Sequence, residues 1–169
     1  MSQLAALLSL SIVSAIAFAD DIKIDPKNNI HAKGLLTVTI PRIKEKKGKW
    51  DLDVQIKNEN DEKGIIIFLS DLICKRGTVT GSLKHTFFNT GERTMDFRPG
   101  QMKDFHLVCK TEGHPVGPYQ LTIAKVYSNP SLDGKTVGKI IARDLKWKYS
   151  DKGDTDSDEN EKTQKSDGL

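Results

Sequence analysis

Residues 50 to 57 are Trp50-Asp51-Leu52-Asp53-Val54-Gln55-Ile56-Lys57, an unbroken alternation of apolar and polar side chains. Successive side chains of a β-strand point to opposite faces of a sheet, so this period of two predicts a strand with one buried and one solvated face. The polar cluster from Asn58 to Asp61 that follows is typical of a turn. The segment therefore favours an antiparallel sheet with one side in water.

Further strand patterns lie on both sides of this segment. A nearly continuous apolar run, residues 64–74, predicts a central strand with a bulge or break at Ser70 and Asp71. The other predicted strands are 35–40, 94–97, 102–110, 119–127 and 136–149, with one irregular strand between 76 and 94. Short strands separated by turns, without a helical period, predict an all-β fold. We expect an antiparallel immunoglobulin-like sandwich of about seven or eight strands.

Two of these predicted strands contain interruptions. Pro41 cannot donate a ladder hydrogen bond, so we expect an edge strand that ends at Ile40, followed by a basic hairpin loop over residues 42–49. Lys139 and Arg143 interrupt the apolar positions of the last strand and predict a bulge or an exposed edge there.

The first nineteen residues predict the compartment. They contain an apolar run from Leu4 to Phe18 and end in Ala17-Phe18-Ala19, the small-x-small pattern that signal peptidase cleaves. No Lys or Arg precedes the run, so a short uncleaved anchor is the alternative, although a spanning helix needs roughly twenty apolar residues. We predict a signal peptide over 1–19, a secreted or periplasmic protein, and no stable membrane span after cleavage.

The remaining chain divides by composition. We expect an N-terminal arm over 20–34, the sandwich over 35–149 and a disordered acidic tail over 150–169, which has too few apolar residues to fold. The tail has seven acidic and three basic side chains, so residues 20–149 carry a net charge of +7. Such a body attracts acidic polymers, anionic lipid or acidic proteins. The tail also resembles the opening of a calcium loop at Asp154, but its sixth position is Glu159 instead of glycine.

Cys74 and Cys109 are the two cysteines of the chain. An even number of cysteines in an exported protein predicts a disulfide, and both positions share parity with core-facing residues. Two buried free thiols and a metal thiolate pair are the alternatives.

Two sets of side chains are candidates for ligand binding. Imidazole and thioether groups together suit copper, which makes one set a candidate copper site in an exported protein: His85, Met95, Met102 and His106. The second set, Trp147 and Tyr149, could stack on a sugar or a peptide, although the alternation of Leu145, Trp147 and Tyr149 also fits the core face of a last strand. No nucleophile elbow, zinc-protease helix or phosphate loop occurs in the sequence, so we expect no enzyme activity and no cofactor.

Three segments carry a resemblance to a known group of domains: Val54-Gln55-Ile56-Lys57-Asn58, Arg98-Pro99-Gly100-Gln101 and Gly117-Pro118-Tyr119-Gln120-Leu121. In this order they resemble secreted immunoglobulin-like domains, and are weakly similar to bacterial intracellular proteinase inhibitor-type domains. The resemblance covers residues 50–127 and implies a sandwich. It also implies a binding or accessory function that includes protease inhibition as a narrower version. The export signal and paired cysteines depart from those inhibitors.

The sequence as a whole predicts an exported, noncatalytic binding or accessory domain. We expect its partner to be a protein or envelope component of unknown identity, and we expect no nucleic acid. Extracytoplasmic copper binding is the alternative function.

Overall fold

The computed structural model describes residues 20–25, 27–46, 48–85, 94–132 and 136–150. The predicted signal peptide and the tail from residue 151 onward lie outside the described residues. Across the described ranges, no helix is long and apolar enough to cross a membrane.

The described residues form twelve strands in two antiparallel sheets, which confirms the all-β fold class. The strand count exceeds eight because several strands are broken or switch sheets. The strands are β1 (Asp20–Lys23), β2 (Asn29–Ala32), β3 (Leu36–Lys46), β4 (Lys49–Asn58), β5 (Gly64–Phe68), β6 (Leu72–Arg76), β7 (Val79–Thr80), β8 (Ser82–His85), β9 (Thr94–Phe97), β10 (Met102–Lys110), β11 (Tyr119–Asn129) and β12 (Ile140–Tyr149).

The first sheet has the order β1-β3-β4-β10-β8, with β2 paired to β3 beside β1. The predicted arm over 20–34 thus contributes two short strands, one along Arg42–Glu45 and one along Leu36–Thr39. The prediction that Pro41 ends an edge strand is wrong. The pairing register between β3 and β4 shifts between Thr39 and Arg42, and Pro41 lies at this irregularity. Pro41 also lies between the part of β3 that pairs with β2 and the part that pairs with β1, so its nitrogen is not required to donate a ladder hydrogen bond.

The hairpin between β3 and β4 is tighter than predicted. Lys46 pairs with Lys49, so both strands continue through most of the expected basic loop, residues 42–49. Gly48 at the turn has φ +71°, a conformation that glycine adopts without the steric cost of a side chain. The Thr111 N–H and hydroxyl both donate to the Gly48 carbonyl, at 2.9 and 3.1 Å, which ties the hairpin to the end of β10.

The second sheet has the order β7-β6-β11-β5-β9. β6 and β5 pair with successive parts of β11 along one of its edges, and β12 pairs with β11 along the opposite edge. The predicted break in the central apolar run is confirmed, because a 3-10 turn over Leu69–Asp71 separates β5 from β6. The predicted irregularity of the last strand is also confirmed. β12 begins only at Ile140, Asp144 has φ +52°, and the register shifts at Val126/Tyr127.

A disulfide joins the two sheets. Cys74 on β6 and Cys109 on β10 are bonded, with their Cα atoms 6.2 Å apart, which confirms the predicted pair. β7 pairs with β6 of the second sheet and β8 with β10 of the first, so the chain switches sheets at Gly81, between β7 and β8. The Gly81 N–H donates to the Cys74 carbonyl at 2.9 Å.

The core lies between the sheets and confirms the predicted inward face of β4. Trp50 and Leu52 are fully buried, and Val54 and Ile56 are 2% exposed. The second sheet contributes the apolar side chains of Leu72, Tyr119, Leu121, Ile123 and Trp147. One polar residue is fully buried at an end of the sandwich: Asn58, whose amide donates to the carbonyls of Lys63 at 2.8 Å and Arg98 at 3.0 Å.

Candidate functional site on the outer face of the first sheet

The outward side chains of β3, β4 and β10 form one broad, mainly polar surface, which we call the outer face. Cross-strand partners in a sheet point to the same side, so the register places Arg42, Asp53 and His106 in a row at its centre. Asp51 follows the same alternation on β4, next to this row. The outer face therefore brings together residues that lie far apart in the chain.

The central row is held by ion pairs and hydrogen bonds. Arg42 Nε donates to Asp53 Oδ2 at 2.7 Å, and its Nη2 lies 2.5 Å from the same oxygen. His106 Nδ1 lies 3.0 Å from Asp53 Oδ1. An ionised carboxylate only accepts hydrogen bonds, so the proton of this contact is on Nδ1, and His106 Nε2 faces Asp51 Oδ2 at 4.0 Å.

These contacts change the acidity of Asp53. Burial alone would raise its pKa, but hydrogen bonds from His106 and Arg42, together with their positive charges, hold the pKa below the ordinary value of 3.8. Between 34% and 41% of each side chain is accessible to water, so the row is ordered and still available to a ligand. It presents a guanidinium, a carboxylate and an imidazole within one surface.

Further polar contacts lie on one side of the central row. Gln55 Nε2 donates to Asp104 Oδ1 at 2.9 Å. Beyond this pair, Lys57 donates to Glu59 at 2.8 Å, and that hydrogen bond is the main reason that the pKa of Lys57 is raised and the pKa of Glu59 lowered. At the neighbouring edge of the sheet, His31 Nδ1 lies 3.0 Å from the Thr37 hydroxyl.

At the opposite end of the outer face, three lysines are cross-strand neighbours. Lys46 pairs with Lys49, and Lys49 pairs with Lys110, so their side chains form what we call the lysine row. All three are exposed. Among the described residues, no carboxylate forms an ion pair with any of them. Like charges directly opposite each other destabilise a sheet, so this row is favourable for an anion.

A polar junction between the sheets lies beside the lysine row. The Tyr119 hydroxyl donates to Glu45 Oε2, and Arg76 Nη2 lies 3.4 Å from the same oxygen. The Arg76 guanidinium also stacks on the Tyr119 ring, 3.5 Å from its centroid, and Trp50 packs against that ring from the core. Since Tyr119 and Arg76 are buried, the junction joins the sheets and offers little surface to a ligand.

The structure does not bring the four predicted copper ligands together. Met95 is buried in the core from the second sheet, whereas Met102 and His106 are on the outer face of the first. Met102 and His106 are four residues apart on one strand, which separates their Cα atoms by about 13 Å. The side chain of His85 lies outside the described residues. Within the described ranges, no group of three or more His, Cys, Asp or Glu side chains could hold a metal ion.

Trp147, predicted to bind a ligand together with Tyr149, belongs to the core. It is 2% exposed, its indole N–H donates to the Asn28 carbonyl at 3.1 Å, and its ring stacks on Tyr149 with centroids 6.2 Å apart. Tyr149 is half-buried and also contacts Tyr119. This is the packing that an alternating last strand implies, and it leaves the Trp147 ring inaccessible to a sugar or peptide.

No match to a family model, to a curated protein or to a solved structure was found for this chain. The functional argument therefore depends on the geometry of the outer face.

The central row was missed at the sequence level for a structural reason. The sequence predicts Asp51 and Asp53 as solvated surface, Arg42 as part of a loop, and His106 as a copper ligand beside the methionines. The alternation around Trp50 correctly predicts that Asp51 and Asp53 share one face. Their meeting with Arg42 and His106 depends on a strand register that alternation alone does not specify.

Proposed function

We propose that this protein is an exported, noncatalytic immunoglobulin-like domain that binds a partner protein on the outer face of its first sheet. The observation that carries the proposal is the central row Arg42, Asp53 and His106, which is ordered by its own contacts and still accessible to water. An ordered, accessible row can bind a partner without a large cost in side-chain entropy.

The chemistry of the row is that of a protein interface. Arginine is enriched in such interfaces, and complementary charges across them determine specificity and the rate of association. The face has lysines at one end, the mixed central row in its middle, and Asp104 with the Lys57–Glu59 ion pair towards the other end. A partner with the opposite arrangement would be selected over one of uniform charge.

Two features support the immunoglobulin-like assignment. A disulfide links the sheets through Cys74 and Cys109, and Trp50 is the cross-strand neighbour of Cys109 on the core side. An inter-sheet disulfide close to a buried tryptophan is a common arrangement in immunoglobulin domains. The predicted export signal is consistent with a disulfide-bonded domain.

Site-specific photo-crosslinking in the exporting host tests the binding surface. A benzophenone amino acid at Gln55, in the centre of the outer face, should give a discrete crosslinked product. The matched control is Thr122, whose cross-strand partners Ile73 and Lys146 place it on the outside of the second sheet. The yield of the crosslinked product should fall several-fold when Arg42→Ala or His106→Ala is introduced into the same chain. Equal products from both positions, or a product from Thr122 alone, would contradict the proposal.

The narrower hypothesis, that the protein inhibits a protease, is tested by measuring the rates of a panel of serine, cysteine and metalloproteases in its presence. Unchanged proteolysis rates at excess protein would exclude inhibition of those enzymes.

Copper binding receives support from one contact. Metal-ligating histidines usually donate their other ring N–H to a carboxylate, as His106 does to Asp53. Titration with Cu²⁺ separates the two functions. Binding tighter than about micromolar, lost in His106→Ala, would favour copper over the proposed protein partner.

A further inference from the structure

We propose that the acidic tail of this chain, residues 151–169, docks on the lysine row formed by Lys46, Lys49 and Lys110. The inference concerns a contact within the chain and goes beyond the proposed function. It would make the tail a built-in competitor for any acidic partner that approaches this end of the outer face.

The first argument is charge. The lysine row places three ammonium groups on adjacent strands, which are about 5 Å apart. Within the described residues, none of them has an ion-pair partner, although the neighbouring Lys44 has Asp51 as its cross-strand partner. The tail carries seven carboxylates and three basic side chains, a net charge of −4. Six of those carboxylates lie between Asp151 and Glu161, close to the point where the tail begins.

The second argument is position. Tyr149, the last residue of β12, pairs with Tyr119, and their ring centroids are 6.4 Å apart. The Tyr119 hydroxyl donates to Glu45, which immediately precedes Lys46. The tail thus starts at the same end of the sandwich as the lysine row. Ten extended residues span about 35 Å, several times the width of three adjacent strands, so the acidic segment can reach every lysine of the row.

The third argument is the rigidity of the row. The two hydrogen bonds from Thr111 to the Gly48 carbonyl fix the hairpin that carries Lys46 and Lys49 against the strand that carries Lys110. A tethered segment has an effective concentration in the millimolar range, which favours contact between its several carboxylates and this fixed row.

Carbodiimide crosslinking of the complete chain tests the proposal directly. The reagent activates a carboxylate, and the attacking lysine amine forms an amide bond as the reagent leaves as its urea, so only groups already in contact react efficiently. Peptide mapping should find tail carboxylates joined to Lys46, Lys49 or Lys110 at least five times more often than to two exposed control lysines at the other end of the sheet, Lys33 and Lys63. The excess should fall when salt is added, since exposed charges are screened.

Two further measurements separate the tail from other occupants. A mixture of ¹⁴N- and ¹⁵N-labelled protein should give crosslinks within single chains, and mixed-isotope crosslinks would overturn the proposal. A variant with Asp154→Asn, Asp156→Asn, Asp158→Asn, Glu159→Gln and Glu161→Gln should bind dextran sulfate at least threefold more tightly than the natural chain. Equal affinity, or crosslinks spread evenly over all exposed lysines, would also overturn it.

Discussion

Gly81 passes so close to Cys109 that a Cβ atom at position 81 would lie 2.5 Å from the Cys109 sulfur. The same atom would lie 3.1 Å from the sulfur of Cys74 and 3.0 Å from the Lys110 carbonyl oxygen. Real Cβ atoms essentially never come within 3.0 Å of another heavy atom, so the contact with the Cys109 sulfur is the prohibitive one, and the other two are tight. The connection between β7 and β8, where the chain switches sheets, therefore packs directly against the disulfide that joins the sheets. Glycine at position 81 makes this close packing possible.

Replacing Gly81 with alanine should destabilise the protein by about 1 to 3 kcal/mol, because the backbone must move away from a bond that is fixed at both ends. Urea denaturation followed by tryptophan fluorescence measures the loss. The same substitution in a Cys74→Ala, Cys109→Ala background should cost less, because the two sulfur atoms are absent. An equal cost in both backgrounds would show that the sulfurs are not the obstacle.

Tyr119→Phe should cost about 1 to 2 kcal/mol of unfolding free energy. The substitution keeps the ring that packs on Trp50 and Arg76 but removes the hydroxyl that donates to Glu45. Hydrogen bonds to charged groups contribute more than neutral ones, and partial exposure of Glu45 reduces this one. Denaturant unfolding provides the measurement.

Tyr149→Phe is the matched control for that variant. Its ring contacts Tyr119 and Trp147, but its hydroxyl forms no hydrogen bond within the described residues. The control should change stability by less than about 0.5 kcal/mol. Equal losses in the two variants would assign the effect to ring packing and not to Glu45.

Local patterns predicted the individual strands better than their connections. Alternation located β4 and β10, and the apolar run located β5 and β6 with the break between them, because these signals lie within one segment. The prediction that Pro41 ends its strand failed, because a proline interrupts a strand only where a partner strand needs a hydrogen bond from its nitrogen. The switch of sheets at Gly81 is not predictable from local pattern either, because it depends on which distant strands pair with the residues on each side of it.

The candidate site was less predictable than the fold. Its central row combines Arg42 on β3, Asp53 on β4 and His106 on β10, and only the register between these strands makes them neighbours. The cysteine pair was easier, because an even number of cysteines together with a predicted export signal predicts a bond without any knowledge of register.

Asn58→Asp should destabilise the protein by about 2 to 4 kcal/mol. The Asn58 amide donates to two carbonyl oxygens, on Lys63 and Arg98, and its own oxygen accepts the Asn60 N–H. An aspartate has the same shape but no donor, so two carbonyls lose their partner and a buried carboxylate faces them. Thermal unfolding at neutral pH measures the effect.

Asn60→Asp is the control for this prediction. The Asn60 side-chain oxygen accepts the N–H groups of Glu62 and Lys63, and an aspartate oxygen can do the same in a more exposed position. Its stability should stay within about 0.5 kcal/mol of the natural protein. A similar loss in both variants would mean that the turn, and not the buried donor, sets the stability.

Because the pKa of Asp53 is lowered in the folded state, part of the free energy of unfolding should depend on pH. A carboxylate whose folded pKa lies below its unfolded value of about 3.9 stabilises the folded state above that unfolded value, and the contribution disappears as the pH falls through the folded pKa. The difference in unfolding free energy between the natural protein and Asp53→Asn should therefore be largest near pH 5 and shrink progressively as the pH falls below it. Denaturant unfolding across this range measures the difference.

The cause of the shift can be assigned by a direct titration. The side-chain carboxyl carbon of Asp53, followed by NMR, should titrate at a higher pH in Arg42→Ala and in His106→Ala, because each variant removes a donor and a positive charge while burial still raises the pKa. Gln55→Ala removes a neighbouring contact of the outer face that does not involve Asp53, and it should leave the titration unchanged. An unchanged pKa in both charge-removing variants would show that the central row is not coupled electrostatically, and would remove the ordering on which the proposed binding surface depends.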